Sequence, residues 1–211
     1  MKYPNYKLTV EPQLRGAAVR KKVQSRWSVK TGADNDAGRV DITSSTDTTI
    51  SDLISQSVPG RLPSKGRARP VETTVWSLAL DATTLIAYKY EQDQDYHLVV
   101  SDADGNTMIV EIPDPNVVDP SSPFLPQITT AREAFTQRFQ TQLQALQAQL
   151  ALQAQAAGVD QASAPVPLIT NVSVPVHVTG VGFFDFIHGQ TGVAPNGIEL
   201  HPVLSIDFGI A

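Results

Sequence analysis

Two runs rich in β-forming residues, Tyr96–Ser101 and Thr107–Ile112, flank the segment Asp102-Ala103-Asp104-Gly105-Asn106. An Asp-Gly step between alternating apolar runs is a hairpin signal, because glycine accepts the backbone angles that a tight turn demands. This hairpin anchors the reading of the rest of the body. Before it, Val71–Glu91 alternates with Trp76, Leu78 and Leu80 on one face. After a break at Asp81–Thr83 the alternation continues with Ile86, Tyr88 and Tyr90, which predicts one long bent strand. After the hairpin, Phe135, Phe139, Leu143, Leu146 and Leu150 recur at spacings of three and four residues, predicting a single helix over 128–157. Val174, Val176 and Val178 alternate next, and Ile198, Leu200, Leu204, Ile206 and Phe208 share one face of a last strand. The order β-β-β-α-β-β, mainly β with one long helix, predicts an OB-fold-like five-stranded Greek-key barrel. Closure would remove the sheet edges these strands otherwise expose. A small β-sandwich with one crossing helix is the alternative.

Charge divides the chain of 211 residues in two. Residues 1–70 carry 13 Lys/Arg against 6 Asp/Glu, a balance of +7, and residues 71–211 carry 3 against 15, a balance of −12. Residues 1–70 are also dense in turn formers, and Pro59–Pro70 reads as a linker. They are expected to form a basic, extended or weakly structured arm ahead of the barrel domain at 71–211. Within the arm, Arg20, Lys21, Lys22, Arg26 and Lys30 surround Trp27. Phosphate contacts plus one stacking ring would suffice for non-specific nucleic-acid binding. The same charges would equally dock on the acidic body of a neighbouring copy.

The chain has no cysteine, which excludes disulfides, thiolate zinc sites and a thiol nucleophile. No apolar run reaches the length of a membrane span, and the N-terminal residues lack the apolar core of a signal peptide.

The candidate site is the stretch from Gly182 to Val203, which holds Asp185, His188, Glu199 and His201. Glu199 and His201 sit two apart on a strand, hence on one face, and alternate with the core residues Ile198 and Leu200. Hairpin pairing would bring Asp185 and His188 towards them. Two imidazoles and two carboxylates suit a divalent metal such as zinc, manganese or iron. The competing reading is structural: Gly189, Gly192, Gly197 and the Asn196-Gly197 step are turn chemistry. Two further constellations are weaker. Asp102, Asp104 and Asn106 are spaced like the start of a calcium loop but lack its closing glutamate, so a turn is favoured. Tyr88, Tyr90, Tyr96 and His97 would form a base-stacking platform, but the acidic residues among them repel a polyanion.

The strings "YHLVVSDADGNTMIVEIPDP" and "GVGFFDFIHGQTGVAPNGIELHPVLSI" resemble an uncharacterised bacterial domain family. The likeness covers residues 71–208 and the "WSVKTGADNDAGRVD" stretch, and it implies a family label without an activity. "IELHPV" is also distantly similar to the last strand of thermonuclease-like OB domains. The arginines on which such enzymes depend have no counterpart here, since the body holds only Arg132 and Arg138.

The expectation is a non-catalytic interaction or assembly module without a cofactor. It would join neighbouring copies or a larger complex through the arm and through Phe139, Leu143, Leu146 and Leu150 of the helix. The alternatives are a metal-dependent hydrolase or nuclease centred on His188 and His201, and nucleic-acid binding through the arm.

Overall fold

A computed structural model describes residues 26–91, 94–158 and 169–209. The fold is mainly β, a seven-stranded mixed sheet with a few helices. Strands β1 (Thr46–Thr48), β2 (Val75–Leu78), β3 (Thr84–Tyr90), β4 (Tyr96–Ser101), β5 (Thr107–Ile112), β6 (Thr170–Phe184) and β7 (Ile198–Phe208) run in the order β1-β2-β6-β3-β4-β5-β7. β7 returns to pair with β6, so that β3, β4, β5, β7 and β6 form a ring of pairings.

The long strand expected from Val71 onward is interrupted. Val71–Thr73 is a short 3-10 turn, and residues 79–83 leave the sheet between β2 and β3. Both strands nevertheless lie antiparallel to β6: β2 pairs with Val178–Val181 and β3 with residues of Thr170–Pro175. β1 adds in parallel outside β2. These two extra strands make the sheet larger than the five-stranded barrel read from the sequence.

The hairpin forms as expected, with Tyr96 opposite Ile112 and Ser101 opposite Thr107. Asp102 closes its turn by accepting the backbone N–H groups of Asp104 and Asn106. The calcium-like spacing is therefore a turn cap.

The single helix is replaced by two. Among the described residues, helices α1 (Trp27–Thr31) and α2 (Ile50–Ile54) flank β1, and α3 (Leu125–Arg138) and α4 (Gln140–Ala157) connect β5 to β6. Phe139, at φ −112° and ψ 20°, leaves helical geometry between α3 and α4. Its side chain stays in the core, packed on Tyr88 and Phe135 with ring centroids 4.9 Å apart in each pair. The aromatic stripe thus survives while the backbone breaks. Ile128, Ala131 and Phe135 bury one face of α3 at helical spacing.

Two apolar clusters result. The main one fills the ring and takes in Ile50 and Leu53, with Ala68 from the segment read as a linker. The second lies on the outer side of β6 and β7 and joins Ala37, Val40, Phe124 and Ile128 to Val181 and Leu204. Residues 26–70 therefore share both cores with the body, in place of an extended arm. Gly32 is essential to that docking: its φ is +71°, and a Cβ there would lie 2.3 Å from the Phe124 ring. Gly32→Ala is expected to cost on the order of 2 kcal/mol in urea unfolding, from strain and overpacking together.

Candidate functional site

The strand registers assemble the site. His97 faces Glu111 directly across β4 and β5. β5 and β7 run parallel with Ile109 beside Glu199 and Val110 beside Leu200, so two residues further on Glu111 comes level with His201. His97, Glu111 and His201 therefore form one row across three strands. Phe183 pairs with Glu199 and carries the row on to β6, with Asp185 just beyond the strand end.

This row faces away from the main core but not towards solvent. Helix α1 covers it, and Glu199 and His201 are 1% and 0% exposed. The expectation of an outward face was right about the side of the strand and wrong about what lies on it. The Trp27 ring meets His201 edge-on at 6.5 Å, and Phe183 packs on the same imidazole at 6.0 Å.

Lys30 of α1 enters the centre. Its ammonium lies 2.8 Å from Asp185 Oδ2, 3.6 Å from Glu111 Oε2 and 3.9 Å from Glu199 Oε2, and 5.1 Å above the Phe183 ring. Glu111 Oε2 also approaches His201 Nδ1 to 2.7 Å, off the line of a ring N–H, so this is a close ionic contact rather than an in-line hydrogen bond. On the other side Glu111 Oε1 meets His97 Nδ1 at 3.1 Å. His97 Nε2 lies 3.0 Å from the Thr191 carbonyl, and since carbonyl and carboxylate can only accept, both hydrogen bonds together require the doubly protonated imidazolium. Asp95 Oδ2 stands 3.8 Å from His201 Nε2, and Glu91 Oε1 lies 3.6 Å from His97 Nδ1 at the partly exposed rim.

Burial and charge pull these groups in opposite directions. Burial opposes the Lys30 ammonium, but Glu111, Glu199 and Asp185 together hold its pKa well above the usual lysine range. Burial would raise Glu111, yet Lys30, His201 and the histidine contacts keep it well below the usual carboxylate range. Glu199 goes the other way: burial, with Glu111 and Asp185 nearby, outweighs Lys30 and lifts it to about 7. Burial and Lys30 both disfavour a charged His201, but Glu111 and Glu199 raise it to about 9. His97 is raised despite its burial, chiefly by the Glu111 hydrogen bond and charge.

Of the four residues singled out in the loop, Asp185, Glu199 and His201 converge, and the cation among them is Lys30. His188 does not join them. It is exposed, and its backbone N–H bonds the Gln190 side chain. The glycines behave as the structural reading required. Gly189, Gly192 and Gly197 have φ of +86°, +80° and +71°, and a Cβ on Gly192 would strike Val99 at 2.3 Å. Asn196 pins the loop to α2 by donating to the carbonyls of Leu53 and Gln56 at 3.0 Å each.

Among the described residues, Arg26 and Lys30 of the basic segment are engaged within the chain. Arg26 grips Glu72 with both terminal nitrogens, at 2.7 and 2.6 Å, and also donates to the carbonyls of Gly66 and Phe184. Arg26 and Lys30 are thus engaged internally, and Trp27 lies against His201; Arg20, Lys21 and Lys22 fall outside the described residues. Tyr88 and Tyr96 turn inward onto Phe135, at 5.3 and 4.8 Å, so they offer no stacking platform. Arg132 is structural, donating to the carbonyls of Ile112 and Gln94 beneath the Tyr96 ring. Among the helix residues, Phe139 and Leu143 are buried in the main core, Leu146 is half-buried, and nothing is described for the Leu150 side chain.

Sequence reasoning placed Lys30 in an interaction arm rather than in this cluster, and it missed Glu111 and Asp95 as site residues. Glu111 was within reach, because it and His97 are equidistant from the hairpin turn. Lys30 carried no such signal, since 155 residues separate it from Asp185.

No family model, no curated protein and no solved structure matches the chain. Among the described residues, no helix is long and apolar enough to cross a membrane.

Proposed function

We propose that the chain is a non-catalytic assembly module, an OB-like barrel that presents helix α4 as its contact element. The OB-like reading is supported by the pairing circuit: a β3–β4–β5 meander, a helical connection, then β6 and β7, with β5 parallel to β7 and β6 closing on β3. β1 and β2 are additions to that plan.

The observation that carries the functional reading is α4. It spans 18 residues, or about 27 Å. It contains no charged residue at all. Beyond Leu143 its side chains are mostly exposed, Leu152 at 66%. A helix of glutamine, alanine and leucine loses no charge hydration when another surface covers it. Its glutamine amides can donate and accept across a contact. The acid–base cluster supports the non-catalytic half of the reading, because α1 seals it and Lys30 compensates it, and reacting groups must be reachable by a substrate.

Light scattering after size exclusion tests this on the full chain. The expected result is a concentration-dependent oligomer. The double variant Leu146→Glu and Leu152→Glu should shift it to monomer while the far-ultraviolet circular dichroism stays unchanged. A wild-type monomer at every concentration contradicts the proposal.

A further inference from the structure

Among the described residues, Asp95, Glu111 and His201 each offer one ligand atom, all within 4.8 Å of one another, and all three are buried. We infer that this trio is a structural site for one divalent transition-metal ion of the zinc class, a role beyond the assembly reading and independent of it.

The first argument is His201. It is fully buried, Nδ1 has only the off-line ionic contact with Glu111 at 2.7 Å, and Nε2 makes no hydrogen bond, with Asp95 Oδ2 3.8 Å away. A buried polar group left that way is costly, and native proteins seldom tolerate it without a partner. The second is Glu199, whose Oε2 is likewise buried and not hydrogen-bonded, 3.9 Å from His201 Nδ1. It stands beside the trio on the Nδ1 side of His201, opposite Asp95. The third is charge. Glu111, Asp185 and Glu199 already share the single ammonium of Lys30, whose shortest contact is with Asp185. Asp95 adds another carboxylate on the far side of His201. Asp95 and Glu111 flank the two ring nitrogens of His201, at 3.8 and 2.7 Å, and a divalent ion offsets the mutual repulsion of carboxylates brought that close. The fourth is support from outside the trio. Glu111 is steadied through its other oxygen by His97, which the Thr191 carbonyl holds in turn. Such outer contacts are how proteins orient a metal-binding carboxylate. One imidazole with carboxylates suits zinc, cobalt, manganese or iron rather than calcium.

The test uses the full chain, stripped with chelator and titrated calorimetrically with Zn2+, with Co2+ as an optical and paramagnetic probe. One ion per chain is expected. His201→Gln and Asp95→Asn should each weaken binding by about 100-fold or more. His188→Gln, on the exposed loop, should leave it unchanged. Should a variant fail to fold, the Co2+-loaded wild type still decides, because a ligating His201 must show hyperfine-shifted ring protons. Absence of a bound ion overturns the proposal, as does undiminished affinity in folded His201→Gln and Asp95→Asn, or a Co2+ complex without a shifted His201 ring.

Discussion

Replacing Lys30 by methionine is expected to destabilise the protein by about 3–5 kcal/mol, the loss typical when one partner of a buried ionic group is removed. Methionine matches the lysine stem in length, so packing on Phe183 changes little. What changes is charge. Asp185, Glu111 and Glu199 are left around an uncharged thioether, with the nearest compensation gone from 2.8 Å. Because Lys30 also holds α1 over the outer face of β7, the loss should be accompanied by exposure of Trp27. Urea unfolding followed by tryptophan fluorescence measures both effects. A Lys30→Met protein within about 1 kcal/mol of wild type would mean that the ammonium is not the counter-ion described.

Glu72→Ala should cost a similar amount, about 3–5 kcal/mol, for a different reason. Glu72 is fully buried and satisfies three separate segments at once. It takes both arms of Arg26, accepts the Ala68 N–H through Oε2, and accepts the Phe184 N–H through Oε1 at 2.9 Å. Truncation leaves a buried guanidinium without its counter-ion, held only by the Gly66 and Phe184 carbonyls, and two buried N–H groups without acceptors, each with its own desolvation cost. Glu72→Gln separates the contributions. It retains an acceptor oxygen but loses the charge, so it should fall between wild type and Glu72→Ala in the same unfolding experiment. Equal stability of all three proteins would remove Glu72 from its role as the tie between residues 26–70 and the sheet.

These two residues also show how far the sequence could be read. The β4–β5 hairpin was legible because its turn is local and its alternation regular, although the pairing of His97 with Glu111 that it implies was not drawn from it. The face shared by Glu199 and His201 was legible for the same reason, since alternation fixes which side of a strand a residue takes. What covers that face was not legible. α1 and β1 are five and three residues long, too short for any period to register, and each is held by partners far along the chain. β1 reaches β2 across nearly thirty residues of turn-rich sequence that looked like a flexible arm. Arg26 and Lys30 read as solvent-facing charges because lysine and arginine are seldom fully buried without a partner, and their partners, Glu72 and Asp185, lie in other segments. The break at Phe139 escaped notice for the opposite reason. The spacing of Phe135, Phe139 and Leu143 is regular, and it is a backbone rotation, not the side-chain pattern, that separates α3 from α4.

The acidic cluster on the outer face of β5 and β7 is compensated from within the chain, by Lys30 of α1. A double-mutant cycle on Lys30 and Asp185, the closest pair of the cluster at 2.8 Å, tests this most directly. Wild type, Lys30→Met, Asp185→Asn and the double variant are unfolded in urea under one set of conditions. Removing the Asp185 charge should destabilise the wild type but relieve the Lys30→Met protein, giving a coupling energy of about 1–3 kcal/mol. Effects that add to within about 0.3 kcal/mol would contradict the account, because residues bound to each other in a buried ion pair cannot act independently.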